Sequence, residues 1–400
     1  MTPSNNFDML IIGAGISGLS MAHYLSKAGK KVLVLEADGR PGGSVSTAQF
    51  PKKNFWMEMG AHTCYNTYSN LIEMAVDCGL KKDMIAREKQ SMKLFNGELK
   101  GLFSQINKWE LLRSLPNMFF LKKKGQSVAS FYSRVLGKNN YKRMFSRMFN
   151  AVIVQDSSEY AADLFLKRRN TRLKEFPRSF TFLDGMQQLL NAILRDDNIT
   201  LITEAPVTEV SRIDGDFQVV TAQNELYRAK NITFAVSPKI AGDLLKALEP
   251  QLSQNLKMIP VQKICTRGIV VSRKQVSVDP HSFIIPLSGD CYSEVSRDVV
   301  PHDKYRGFAF HFKKDDSQKE EQLQFMDHIL GLDPNGEKEI VEEIHHLPLL
   351  KVGHSSHIKQ MELLLQQTGI YMTGNFFEGL SLEDCVSRSH TEFIRYQNNC

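Results

Sequence analysis

A chain of 400 residues, 42% hydrophobic and 24% charged, has the composition of an ordinary folded protein and exceeds the usual size of one compact domain, so two lobes are expected. Its six cysteines (Cys64, Cys78, Cys265, Cys291, Cys385 and Cys400) are scattered and form no CxxC pair, which argues for reduced thiols in a cytosolic compartment and against a disulfide framework or a zinc site. The net charge of +6 is modest, MTPSNNFDML has no secretory leader pattern, and the apolar run Met9 to Leu25 is broken by three glycines, Ser17, Ser20 and His23, so neither a signal peptide nor a membrane span is expected.

In chain order, Phe7 to Ile12 is a β-type run, Gly13 to Gly18 a glycine loop, Leu19 to Ala28 a helical pattern stopped by Gly29, and Lys31 to Glu36 a second strand. This is one βαβ opening of a parallel sheet. Gly13-Ala14-Gly15-Ile16-Ser17-Gly18 spells GxGxxG between strand and helix, with Glu36 closing the next strand. Such glycines let the backbone approach a pyrophosphate at the helix N-terminus, while the carboxylate binds ribose hydroxyls. The loop does not by itself distinguish NAD from FAD. Ala37 to Gly43 adds Arg40, a guanidinium suited to a diphosphate, and Gly42-Gly43, which lets the chain pass close beneath a cofactor.

Leu71 to Leu80 reads as a helix. From Leu99 to Arg172, aromatic, Met/Leu and basic residues recur at helical spacing, broken at Pro116, Gly125 and Gly137, and imply an inserted helical lobe. Between Lys81 and Lys174 there are about 21 Lys and Arg against about 7 Asp and Glu. That asymmetry suits an anionic small-molecule substrate or an anionic membrane surface, and no nucleic-acid module accompanies it. Trp109, Phe119, Phe120, Met144 and Phe145 are expected to wall an apolar pocket, with Lys122, Arg143 and Arg147 at its rim.

Gly185-Met186-Gln187 opens a further helix through Leu194. Strands are expected at Ile199 to Ile202, Val207 to Ile213, Phe217 to Thr221 and Asn231 to Val236. Residues 256–360 alternate like a second sheet, as at Gly268 to Ser272 and Phe308 to Phe312. The chain closes with Gly369 to Gly374 and a helix from about Glu383. His345-His346, His354 and His357 have no third ligand at a metal-site spacing and are expected on the surface, with no metal bound.

Glu36 to Gly43, in the form ExxxRxGG, resembles the FAD-dependent amine oxidase and protoporphyrinogen oxidase superfamily. So do Phe180 to Gln187, Pro206 to Val210, and above all Gly369 to Asn375 followed by Gly379 to Val386. The resemblance implies an α/β fold with a Rossmann-like FAD-binding lobe of glutathione-reductase type and an inserted α+β substrate lobe. FAD-lobe parts would be 1–80, 180–255 and 365–400; the helical insert would be 81–179 and the substrate sheet 256–364. It further implies FAD contacts at Gly13, Ala14, Gly15, Ile16, Ser17, Gly18, Glu36, Ala37, Arg40, Gly42, Gly43 and Ser44. A loop past the flavin at Gly60-Ala61-His62, a backbone contact to adenine at Val207, and a flavin-edge contact at Gly374, Asn375, Ser381 and Leu382 complete the set. Ser44 replaces the family's basic residue, and Ser387-Arg388 replaces its Ser-Gly.

Lys263 stands where amine oxidases carry a lysine near the flavin, and His62 is the other catalytic candidate, although a solvated strand lysine and a packed histidine are the blander readings of each. The implied activity is removal of a hydride from a C–N or C–C bond of an organic, anionic-leaning substrate, with O2, a quinone or another acceptor. A nucleotide-sugar-mutase-like isomerase and a flavin-holding protein without turnover stay open. The expected location is cytoplasmic, at most peripheral to the inner membrane face.

Overall fold

Phe7–Ile12 and Val32–Leu35 carry FDMLII and VLVL, runs of branched and long apolar side chains suited to strands buried on both faces. Alternate residues divide between two cores: Leu10, Ile12, Leu33 and Leu35 belong to one, and Met9, Ile11, Val32 and Val34 to the other. In the computed structural model, which describes residues 7–313, 318–366 and 368–399, both strands lie within a seven-stranded sheet. Ile199–Ile202, Val32–Leu35, Phe7–Ile12, Leu226–Phe234 and Ile370–Met372 lie side by side and parallel in that order. Leu226–Phe234 is shared. Its first half pairs antiparallel with Asp216–Thr221, which continues to Val207–Ile213, and its last three residues pair with Ile370–Met372 from the far end of the sequence.

The helix Ile16–Lys27 leaves the glycine loop directly and is buried over most of its length. Leu382–Asn399 lies along it, with Ser389 Oγ donating to the Ser17 carbonyl oxygen at 2.8 Å, and Leu382, Cys385, Val386, Phe393 and Tyr396 joining the core of Met9 and Ile11. Opening and closing segments are thus one packed unit, as the motifs at both ends imply.

A second sheet has the order Glu339–Pro348, Val261–Ser272, Tyr305–Phe312, Cys291–Ser296, His281–Pro286, Ser91–Phe95 and Leu99–Gly101. One face, bearing Cys265, Ile269, Phe308 and Phe310, packs under the helix Lys319–Leu330. The other, bearing Val270 and Ala309, packs on Phe50, Phe55, Met57 and Met59, so the strand Phe55–Glu58 is where the second sheet meets the rest of the molecule.

The basic segment differs from its sequence reading. It opens with strands, because Ser91–Phe95 pairs parallel with His281–Pro286, a partner nearly 200 positions away that no local pattern announces. Helices follow at Lys108–Ser114, Asn117–Phe120, Val128–Leu136 and Ser146–Ile153. Trp109, Phe119 and Phe120 wall no pocket: they are 74%, 81% and 83% exposed, on two short helices that bury no residue. Met144 is buried beside Leu94 and Ile285, with Phe145 packed on that cluster.

Candidate functional site

The glycines of the opening loop are there for different reasons. At Gly13, where φ is +102°, an added Cβ would sit 2.7 Å from the Ala235 carbonyl oxygen, and at Gly18 it would sit 2.0 Å from that of Gly13. Internal packing therefore requires both. At Gly15 the nearest atom would be the Gly42 oxygen, 3.9 Å away, so nothing within the chain explains the missing side chain. Gly15 is half-exposed at the N-terminus of Ile16–Lys27, where unpaired N–H groups favour an anion, and the space a Cβ would fill is what a diphosphate needs.

Ala14 N donates to Glu36 Oε2 at 2.7 Å and Asp38 N to Glu36 Oε1 at 3.0 Å, holding the carboxylate beside the loop with Ala37 exposed next to it. Ala205 N donates to the Glu36 carbonyl oxygen at 2.8 Å, which brings the segment leading to Val207 to the same end of the cradle. Ile16 and Ser17 are buried in the first helical turn. Gly42 N donates to the Ala14 oxygen at 2.9 Å, Gly43 adopts φ +55°, and Arg40 is anchored by Glu343 of the second sheet at 3.0 Å. The Ser44 carbonyl oxygen accepts from Ala61 N at 3.1 Å, and a Cβ on Gly60 would lie 2.1 Å from that oxygen. Ser44 thus contributes its backbone, which any residue supplies, and stitches the loop under the cradle to the loop bearing His62.

At the far end, a Cβ on Gly374 would strike the Phe376 ring at 2.6 Å, and Asn375 is half-exposed beyond it. Ser381 Oγ donates to Asp384 Oδ2 at 2.7 Å and accepts from Arg169 at 2.8 Å, fixing the turn before the buried Leu382. The Glu383 carboxylate accepts from Asn70 N and Leu71 N, both at 3.0 Å, and so caps the helix Ser69–Asp77. Glycine cradle, ribose-side carboxylate and C-terminal turn together fit FAD.

Where the second sheet meets Phe55–Glu58, polar side chains converge. Glu58 accepts from Met186 N at 2.7 Å and Thr47 Oγ1 at 2.8 Å, and desolvation, against the pull of Arg297 and Arg87, pushes its carboxyl up to about 8. The same desolvation, with the Arg87 charge adding to it, lowers His62 to about 4. His62 Nδ1 lies 3.1 Å from the Gly60 oxygen, so an imidazole protonated at Nδ1 donates there and leaves Nε2 as an acceptor. Arg297 donates from Nε to the Trp56 oxygen at 3.1 Å and lies 4.0 Å over the Trp56 ring; burial lowers it to about 10. Burial, and then the nearby His62 and His345, lower His311 to about 3.

Two expectations are corrected. Lys263 is exposed and shares a strand face with Cys265 and Arg267, the face under the helix Lys319–Leu330. Strand alternation therefore turns it away from Met57 and Met59, against which Gly268 packs on the opposite face, and it is no part of the His62 cluster. His345 and His354 are buried, not surface residues, because each places Nε2 against a backbone oxygen, that of Met59 at 2.9 Å and that of Phe376; His346 is exposed and His357 half-buried. Sequence reasoning gave no chemical role to Glu58, Arg87, Thr181 or Arg297, although Glu58 opens the match that runs to His62 and Thr181 lies within Phe180 to Gln187. No spacing links the four.

Comparison with known proteins gives the same picture. The profile of the family described as "Flavin containing amine oxidoreductase" matches residues 16–267. The flavin-containing amine oxidase of Oncorhynchus mykiss is 24% identical over 297 residues, covering 66% of this chain and 57% of that protein. The chloroplastic protoporphyrinogen oxidase of Nicotiana tabacum is 27% identical over 175 residues, covering 39% and 31%. The chain thus spans less than two thirds of the length of these relatives. A structure from Exiguobacterium sp. 255-15, described as "Putative protoporphyrinogen oxidase", superposes over 100% of both chains with a TM-score of 0.81 at 16% identity, which shows the same fold.

Proposed function

Because the chain belongs to the flavin containing amine oxidoreductase family, whose cofactor is FAD, we propose that it is an FAD-dependent oxidoreductase. It would remove a hydride from a C–N or C–C bond of an organic substrate and pass the electrons to O2, a quinone or another acceptor. The observation that carries this reading is the open cradle at Gly15, continued through Ser44 and Ala61 to His62 where the two sheets meet. Bound FAD supplies the hydride-accepting ring. The chain's own residues hold the diphosphate and ribose, keep His62 neutral with Nε2 free to accept a proton, and line a water-poor space between the sheets. Cys385 is 3% exposed and its thiol is pushed up to about 12 by burial, which supports FAD held without a covalent link.

Anaerobic titration of the purified yellow protein with amines, amino acids and porphyrinogens tests the reading. One substrate class is expected to bleach the flavin without added reductant. Turnover that begins only after dithionite reduction would make the protein an isomerase, and no response in either state would make it a flavin-holding protein.

The exposed side chains of Lys108–Phe120 support a second part of the proposal, a peripheral contact with an anionic membrane. Trp109, Leu112, Met118, Phe119 and Phe120 project outward within 12 residues, flanked by Lys108, Arg113 and the run Lys122-Lys123-Lys124. Apolar and aromatic tips with a cationic border suit the headgroup region of a bilayer. No helix among the described residues is long and apolar enough to cross a membrane.

A further inference from the structure

We propose that Arg87, Arg297 and Thr181 form a carboxylate-binding subsite between the Glu58–His62 segment and the second sheet. The assignment names a substrate class for the oxidoreductase reading above and rests on it.

The three side chains line one small cavity, open on one side, with Trp56, Glu58 and His62. Each of these side chains carries one buried polar atom with no hydrogen-bond partner among the described residues: Arg87 Nε, Thr181 Oγ1 and Arg297 Nη1. The arginines do bond elsewhere, Arg87 Nη1 to Thr63 Oγ1 and Arg297 Nε to the Trp56 oxygen. Neither forms an ion pair with a carboxylate among the described residues, although acidic groups stand near. Glu58 is committed to Met186 N and Thr47, and Asp298 is taken by Arg306. Two half-buried guanidiniums without a counter-ion are costly in water-poor surroundings, and an anion that fills the gap removes the cost.

The unfilled valences choose the anion. One unpartnered nitrogen on each guanidinium and one hydroxyl suit a carboxylate, whose two oxygens can each accept from one arginine. The wall also holds Trp56, Val295 and Val299, apolar partners for the hydrocarbon that bears it. Arg143, on the exposed helical surface, and Arg147, whose Nη1 donates to the Gly289 oxygen at 3.0 Å, lie outside this cavity.

Glu58 makes the subsite sensitive to pH. It faces Arg87, Arg297 and the Cys64 thiol, with His62 neutral beside it. Below about 8 its carboxyl is neutral and leaves both arginines to the ligand; above that value it ionises and competes for them. Affinity is expected to fall up to about tenfold per pH unit above 8.

The experiment uses the FAD-loaded protein with acetate, benzoate and inorganic phosphate as probes, read by thermal midpoint and by the flavin difference spectrum, neither of which needs turnover. A saturable response to benzoate is expected, weakened at least about 30-fold by Arg297→Met or Arg87→Met with flavin content unchanged. Should either variant fail to fold, Thr181→Val, which keeps the side-chain shape, is expected to weaken benzoate about fivefold. In Glu58→Gln the pH dependence is expected to vanish. No saturable response to benzoate, stronger binding of phosphate than of carboxylates, or undiminished binding in the variants would overturn the subsite. Benzoate binding without reduction by any substrate would keep the subsite and reject the oxidoreductase reading; reduction without benzoate binding would do the reverse.

Discussion

Gly15 and Gly18 stand three residues apart in one motif, and the packing around them predicts opposite consequences for the same change. A side chain at Gly15 enters open space, so Gly15→Val is expected to abolish FAD binding while leaving the stability of the flavin-free protein within about 0.5 kcal/mol of its original value. A side chain at Gly18 runs into the Gly13 carbonyl oxygen, so Gly18→Val is expected to destabilise even the flavin-free protein by roughly 1–3 kcal/mol or more. Urea unfolding with and without FAD separates them, and full flavin occupancy in Gly15→Val would remove the cradle from the account. The motif was legible in the sequence because its spacing is local and its chemistry fixed. Lys263 was not, since a lysine in a strand reveals its face only through alternation relative to neighbours whose burial the sequence does not print. Arg87, Thr181 and Arg297 come from three distant segments and meet only in the folded chain.

Among the elements, the closing helix is the most informative. Arg388 occupies a place where a small residue was expected to follow Ser387, and it does not loosen the helix. Its guanidinium donates to the Met372 oxygen at 3.2 Å, to Glu362 at 2.7 Å and to the buried Glu392 at 2.8 Å, and it lies 3.8 Å over the Phe377 ring. Arg388 therefore clamps the helix to the strand Ile370–Met372. Arg388→Ala is expected to cost roughly 3 kcal/mol, the low end for a broken buried pair because Arg395 still holds Glu392. A denaturation midpoint unchanged by the substitution would refute the clamp.

The short helices Lys108–Ser114 and Asn117–Phe120 show the opposite relation between side chain and core. Replacing Trp109, Phe119 and Phe120 by Ser is expected to leave stability unchanged, since their side chains face outward. The same variant should bind phosphatidylserine-containing vesicles at least about 100-fold more weakly, each lost side chain contributing roughly 1.5–3 kcal/mol. Undiminished co-sedimentation would reject the membrane contact. The helical spacing of this segment was readable; its outward orientation was not, because periodicity identifies an apolar stripe without saying what covers it.

At the scale of the molecule, the parallel sheet was legible because its central strands are continuous apolar runs and its motifs mark both ends. The seven-stranded second sheet was legible only as alternation, and its order was hidden, since strands as distant as Ser91–Phe95 and His281–Pro286 pair without a turn signal between them. The strand Ile370–Met372 completes the parallel sheet by lying against residues 232–234, and Leu382–Asn399 then covers Ile16–Lys27. A ribosome delivers residue 15 long before residue 382. The growing chain must therefore wait, with the last three residues of Leu226–Phe234 paired on one side alone and the opening helix uncovered, until Ile370–Met372 and Leu382–Asn399 have emerged. Completion of the cradle therefore follows synthesis of Ile370–Met372 and the turn before Leu382, and a polypeptide cut short before Ile370 would carry an intact glycine motif without the strand and turn that complete the site.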